Sequence, residues 1–276
     1  MIKNKRVLIS GMAGSIGSEL TRQLCINNKV FGLDISEKAF VLSESLKQDG
    51  KWVEARIGDI RDVDTVKDLF EDFKPQVVFH AAALKHVTPN ERYPLEAIQT
   101  NAVGTYNILH EAKRWECLEK FVYISTDKVI NSNSIMGATK RLGEIMVKNH
   151  GGIAVRFGNV MGSSGSLIPI WQDQVDNGKP ITVTDERMTR YFMTIPQACE
   201  LVIEAAEQGQ GGEIFILDMK TPVNILELAK KVIKETGRDI GIKMTGIRLG
   251  ETLNEKLMTA EEELIAKRVG KFFVIK

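Results

Sequence analysis

"RVLISGMAGSIG", residues 6–17, joins a short β-branched run to three glycines, and a stretch of helical character follows without a break. An apolar run of this length closed by glycine reads as a strand. Gly11, Gly14 and Gly17 stand at GxxGxxG spacing, where the strand turns and a helix starts. The three glycines serve different ends, namely a tight turn, close approach of backbone to a pyrophosphate, and close packing of helix on strand. Ser15 and Ile16 enter the first turn of that helix, whose amides and dipole offer an anion site. A strand, glycine turn and helix in this order open a doubly wound α/β fold.

Outward from that turn the alternation repeats. Strand-like runs at 30–34, 52–59, 76–83, 120–126 and 152–157 are separated by helical stretches at 36–48, 62–73, 91–115 and 136–149. Most of these runs are continuously apolar, as a parallel sheet covered by helices on both faces requires. Beyond "GNVMGSSGS" (158–166), short strands at 181–184, 213–217 and 242–247 mix with helices at 167–178, 196–208 and 224–236. The division expected is a dinucleotide-binding domain over 1–160, which also carries the catalytic candidates, and a smaller mixed α/β lobe over 161–276.

Three further features support a dinucleotide. Asp34 ends the second strand about 20 residues past the glycine turn, where a carboxylate accepts hydrogen bonds from an adenosine ribose. Asp59 and Ile60 follow the third strand, placed to grip an adenine edge, and Ala81, Ala82 and Ala83 leave room for a cofactor across the sheet. Each has a plainer reading, as a helix cap, a turn former or packing. A carboxylate at Asp34 repels a 2′-phosphate, so NAD is expected in preference to NADP.

Hydrophobic residues make up 43% of the chain and charged ones 26%, with net charge +1. Nothing in that balance points to nucleic acid or an anionic membrane. The three cysteines and four histidines are scattered without metal-ligand or disulfide spacing, which excludes a metal site and favours a reducing, cytoplasmic location. No stretch approaches the roughly 20 apolar residues of a membrane span.

The chain also resembles a known family. Its GxxGxxG spacing, "ISTDK" (124–128) and the lysine of "IMGATK" (135–140) resemble the extended short-chain dehydrogenases that modify nucleotide sugars, a Rossmann-fold group. "HAAALKHV" (80–87), "STDKVINSNSIMGATKRLGE" (125–144), "VRFGNVMGSSGSLIPIW" (155–171) and "MTRYFMTIPQA" (188–198) narrow the resemblance. Together they look like the UDP-N-acetylglucosamine 4,6-dehydratases of polysaccharide and glycan biosynthesis, the CapD/WbpM/PglF-like group. It covers about residues 5–258. Many members carry membrane-spanning helices and a further domain ahead of this unit; neither is expected in these 276 residues. The family's "RPGEKL" appears here as "RLGETL" (248–253).

Met136 stands where many short-chain dehydrogenases have tyrosine, and the resemblance makes it the mark of the Ser-Met-Lys branch. A thioether has no proton to exchange, so the base for a sugar hydroxyl must lie elsewhere. The resemblance implies that Lys140 holds the nicotinamide ribose, Thr126 relays the C4 hydroxyl proton, Asp127 is the acid for the departing C6 hydroxyl, and Lys128 is the base at C5. A lysine base has to be largely neutral, which burial or a nearby Lys140 would achieve. Asn101 and Ser125 join the cofactor candidates on the same grounds. For a UDP-sugar the substrate candidates are Lys85, His86, Asn159, Ser166, Arg190, Arg248 and Glu251, with the two arginines on phosphate and Glu251 on the uridine ribose. For His86 a structural role is about as expected. Retention at C5 follows from the methionine branch. A UDP-sugar 4-epimerase, a C5-inverting dehydratase and a silent NAD- or nucleotide-sugar-binding protein stand as alternatives, and the helices at 91–115 and 136–149 are the surface expected to pair subunits in a homo-oligomer.

Overall fold

A computed structural model describes residues 1–130 and 132–276. The first half alternates as expected: β1 (Arg6–Ser10), α1 (Ser15–Leu24), β2 (Lys29–Asp34), α2 (Lys38–Gln48), β3 (Val53–Ile57), α3 (Val63–Phe73) and β4 (Val77–His80). Then come α4 (Val87–Arg92), α5 (Pro94–Ala97), a π-helical stretch (Ile98–Gly104), α6 (Thr105–Lys113), β5 (Lys120–Ile124), α7 (Ile135–Asn149) and β6 (Ile153–Arg156). The remainder comprises β7 (Asn159–Met161), α8 (Leu167–Asp176), β8 (Ile181–Val183), β9 (Thr189–Arg190), β10 (Phe192–Thr194), α9 (Ile195–Gln208) and β11 (Ile214–Leu217). It closes with β12 (Val223–Asn224), α10 (Ile225–Thr236), β13 (Ile242–Met244), α11 (Ala260–Ile265), β14 (Lys267–Val269) and β15 (Phe272–Ile275).

The main sheet runs β14-β15-β11-β6-β5-β4-β1-β2-β3, parallel from β11 to β3, with β15 and β14 antiparallel at one edge. Alternation along each strand explains why the central strands are apolar throughout. Val7 and Ile9 of β1 pack into one core with Leu20, Ala39 and Val202, while Leu8 packs on the other face with Val66, Ile108 and Val147. Both faces are buried, so neither tolerates a polar repeat. The order reverses between β1 and β4, and the crevice outside the carboxyl ends of the strands is where such folds bind ligands.

Two expectations change. The helical stretch at 91–115 is not one helix: Pro94 has no amide to continue the turn from Tyr93, and the chain restarts there before passing through the π-helical stretch. The boundary at 160 divides the sequence but not the sheet. Beyond it, β11, β15 and β14 extend the main sheet and α9 packs against α1, whereas Trp171, Val175, Ile181, Val183, Met188 and Ile225 form a small core of their own. Strand β4 stops at His80, so Ala81–Ala83 leave the sheet and line the crevice.

Candidate active site

At Gly11 and Gly17 the glycine turn is sterically closed to any larger residue. Gly11 has φ +75°, and a Cβ there would lie 2.6 Å from the Ala82 amide nitrogen; a Cβ at Gly17 would overlap the Gly11 carbonyl. Gly14, at the start of α1, caps it with no side chain, so the first-turn amides are left to the crevice. Asp34 is fixed from both sides, accepting from Ala13 N at 2.8 Å and Ser36 N at 2.9 Å. Asp59 lies at the same end, held by Arg61 at 2.7 Å, beside the buried Ile60. These residues and Ala81–Ala83 line a cleft of about 920 Å³.

A second cleft of about 520 Å³ shares Gly11, Gly14, Ser15, Ala81 and Ala83 with the first and continues past the ends of β5 and β6. Ser125, Thr126, Lys128, Met136, Lys140, Asn159 and Ser166 line it, with Lys85 and His86 opposite. Lys140 Nζ donates to the Ile124 carbonyl and sits 4.1 Å from the centroid of the Tyr123 ring. Burial pushes its pKa down to about 7, against the pull of Glu144. Met136 is 2% exposed, one turn before Lys140 on α7. Ser125 turns its hydroxyl to Glu144 Oε1 at 2.6 Å.

The acid–base run is crowded with charge. Thr126 Oγ1 donates to Asp127 Oδ1 at 3.0 Å, and Lys128 Nζ donates to Asp127 Oδ1 at 3.0 Å and Asn159 Oδ1 at 2.8 Å. A third partner is one the sequence reading missed: Glu255 Oε1 lies 3.0 Å from Lys128 Nζ. Burial raises Asp127 to about 7, with Lys128 pulling it down and Glu255 pushing it up. For Lys128, burial is the largest influence and favours the neutral amine, but the two carboxylates outweigh it and hold the ammonium. The neutral lysine expected from burial is therefore not the resting form. Asp127 and Glu255 also line a smaller cavity of about 220 Å³ that meets the main cleft at Lys128.

Several expected contacts lie elsewhere. Asn101 has its amide committed to the backbone of Leu84 and to Thr139 Oγ1, joining the π-helical stretch to α7. Arg190 is 6% exposed; its guanidinium bonds the carbonyls of Thr189, Thr252 and Leu253, and its Nε lies 3.2 Å from Glu255. It clasps the 252–255 segment and does not face either large cleft. Arg248 is exposed, its amide bonded to Glu251 Oε2 at 3.1 Å, and Glu251 lines the 220 Å³ cavity. Lys85 Nζ donates to Ser163 Oγ at 3.1 Å and is lowered by burial; His86 is lowered by burial and then by Lys85. Ser166 Oγ is buried at the start of α8 with no hydrogen-bond partner among the described residues, and Ser166 lines the main cleft.

The family described as "Polysaccharide biosynthesis protein" matches residues 7–276. The chain belongs to that family. It is 44% identical to the capsular polysaccharide biosynthesis protein CapD of Staphylococcus aureus over 95% of its own length and 46% of CapD's, so it spans about half of that relative. A UDP-glucose 4-epimerase of Rickettsia typhi is 32% identical over 100% of this chain and 84% of its own. Among solved structures, Pen from Bacillus thuringiensis superimposes with a TM-score of 0.92 at 36% identity, covering 99% of this chain and 88% of that one.

Glu255 is the functional candidate that sequence reading did not single out. It stands in "ETLNEKL" (251–257), four residues past Glu251, and nothing local marks it. Hydrogen bonds from Arg190 and Thr189 of β9 to the 252–254 backbone and side chains, and the contact with Lys128, hold it beside the end of β5.

Proposed function

We propose that this polysaccharide biosynthesis protein is an NAD-dependent UDP-N-acetylglucosamine 4,6-dehydratase that makes a UDP-4-keto-6-deoxy-N-acetylhexosamine with C5 retained. The observation that carries this reading is the Asp127–Lys128 pair at the carboxyl end of β5, with Asp127 buried and Lys128 half-buried, facing a cleft that begins at the glycine turn. A 4-epimerisation needs one acid–base group; loss of water across C5–C6 needs a further pair. CapD's likeness supports the polysaccharide setting, and that of the Rickettsia epimerase supports the second reading, a UDP-sugar 4-epimerase.

The turn fits a dinucleotide: Gly11 and Gly17 let the strand, the turn and α1 pack backbone to backbone, the first-turn amides of α1 are left uncapped by any side chain, and Asp34 is preset by two backbone amides. In this reading Gly14, Ser15 and Ile16 meet the pyrophosphate, Asp34 the adenosine ribose, Asp59 and Ile60 the adenine, and Lys140 the nicotinamide ribose. Bound there, NAD supplies a hydride acceptor for C4 and a hydride donor for C6. The protons are the work of this chain. Thr126 passes on the C4 hydroxyl proton, and Lys128 takes the C5 proton once its own has moved to a neighbouring carboxylate. Asp127 gives a proton to the C6 hydroxyl, which leaves as water, and Lys128 returns one to C5. Two protons leave the sugar and two come back, so one water is the net loss.

Incubation of the protein with UDP-N-acetylglucosamine, followed by mass spectrometry of the nucleotide sugar, tests the reading. Loss of one water supports it. An isomer of unchanged mass replaces it with the epimerase, and an unaltered sugar with NAD bound replaces it with an enzyme of a different sugar or a silent binder. For the cofactor, Asp34→Asn is expected to weaken NAD binding about 10–100-fold, the worth of a charged hydrogen bond, and to narrow the preference over NADP. Isothermal titration giving unchanged affinities would remove Asp34 from the site. Tyr106, Leu142 and Ile145, exposed on α6 and α7, offer a face for a second copy of the chain; a single-chain mass by light scattering would end that proposal.

A further inference from the structure

Asp127 Oδ2 and Glu255 Oε2 are both buried, and neither has a hydrogen-bond partner among the described residues. The other oxygen of each carboxyl group lies 3.0 Å from the same Lys128 Nζ. Two carboxyl groups gripping one ammonium from adjoining sides face each other, and two bare carboxylate oxygens in a water-poor pocket repel. One proton between them removes the repulsion and satisfies both orphaned atoms. Glu255 is better supplied with cations than Asp127, since Arg190 Nε approaches its Oε1 at 3.2 Å as well. The proton therefore belongs on Asp127, in keeping with the opposite directions in which the two acids are driven.

We propose that Glu255 is the positioning residue of the acid–base run: it shares one proton with Asp127, keeps that carboxyl in its acid form, and anchors Lys128 Nζ opposite Asn159. The charged groups facing Asp127 are Lys128 from its own turn and Glu255 from the 250–257 segment, with Arg190 of β9 behind Glu255. Glu255 thus acts through Asp127 and Lys128, and Arg190 acts through Glu255.

The role in turnover rests on the dehydratase reading; the shared proton does not, and it is measured without substrate. Infrared difference spectra of the protein with ¹³C-carboxyl-labelled aspartate are expected to show one protonated aspartic acid at neutral pH, titrating near pH 7. In Glu255→Gln its midpoint is expected to fall by about two pH units, because the negative neighbour is gone and Lys128 remains. Absence of the band in the wild type, or an unmoved midpoint in Glu255→Gln, overturns the proposal. Should Glu255→Gln fail to fold, Asp127→Asn serves: loss of the band supports the assignment, and its persistence places the proton elsewhere and overturns it. In turnover, the decline with rising pH should shift to lower pH in Glu255→Gln, reducing the rate at pH 7 about 50-fold while sparing it in acid. A uniform loss at every pH would mark a merely structural role and overturn the proposal too.

Discussion

Asp127→Asn is expected to lower dehydration of UDP-N-acetylglucosamine by about 10²–10⁴-fold, the contribution of a positioned general acid. Asparagine keeps the shape and the oxygen that accepts from Thr126 and Lys128, so the turn at residues 126–129 should survive. What is lost is the proton for the departing hydroxyl. The loss should fall on kcat, with NAD affinity by titration unchanged. The sign of the pH dependence follows from burial, which raises Asp127 to about 7. The acid form prevails below that value, so wild-type turnover should decline as pH climbs through it. A variant within tenfold of wild type, or one retaining the same alkaline decline, would remove Asp127 from the acid's role.

The second large effect concerns stability. Arg156 is fully buried in β6, bonded to both oxygens of Glu144 at 2.9 and 3.0 Å, to both oxygens of Glu262 at 2.8 and 3.1 Å, and to the Leu257 carbonyl at 2.9 Å. Arg141 reaches the same two carboxylates from the rim. Arg156→Met leaves Glu144 charged, buried and short of a partner, which costs about 3–5 kcal/mol where one member of such a pair is removed. At about 2–4 °C per kcal/mol for a chain of this size, the melting temperature should fall by roughly 10 °C. Replacing Glu144 with leucine as well should recover part of that loss, since no unpaired charge then remains. A melting temperature within about 2 °C of wild type in the single variant would mean that the network contributes little.

Much of the framework was legible because it is local. A β-branched run, three glycines and a helix starter lie within twelve residues, and the apolar strands report burial on both faces directly. Asp34 was found by its distance from that turn. Pro94 is the readable signal against a single helix at 91–115. Asn101 and Arg190 show a different limit. Their residue types suit ligands, yet backbone groups at Leu84 and Thr252–Leu253 claim their polar atoms, and the sequence does not display such claims. The neutral Lys128 expected from burial or a nearby Lys140 leaves out the two carboxylates that hold the ammonium; Asp127 is adjacent in the chain, but Glu255 comes from its far end.

That distant carboxylate ties competence to completeness. The main sheet is buried on both faces, whereas Glu255 follows a surface segment at 243–249 whose residues are all exposed. Elements with few buried contacts open at lower free energy than the sheet beneath them. On the proposed dehydratase reading, fraying of the 243–255 stretch would withdraw Glu255 and leave the glycine turn intact, giving a form expected to hold a dinucleotide still but not to manage protons at C5 and C6. Warming should therefore silence elimination before it melts the fold, and the enzyme would fail quietly, as a loaded and harmless scaffold.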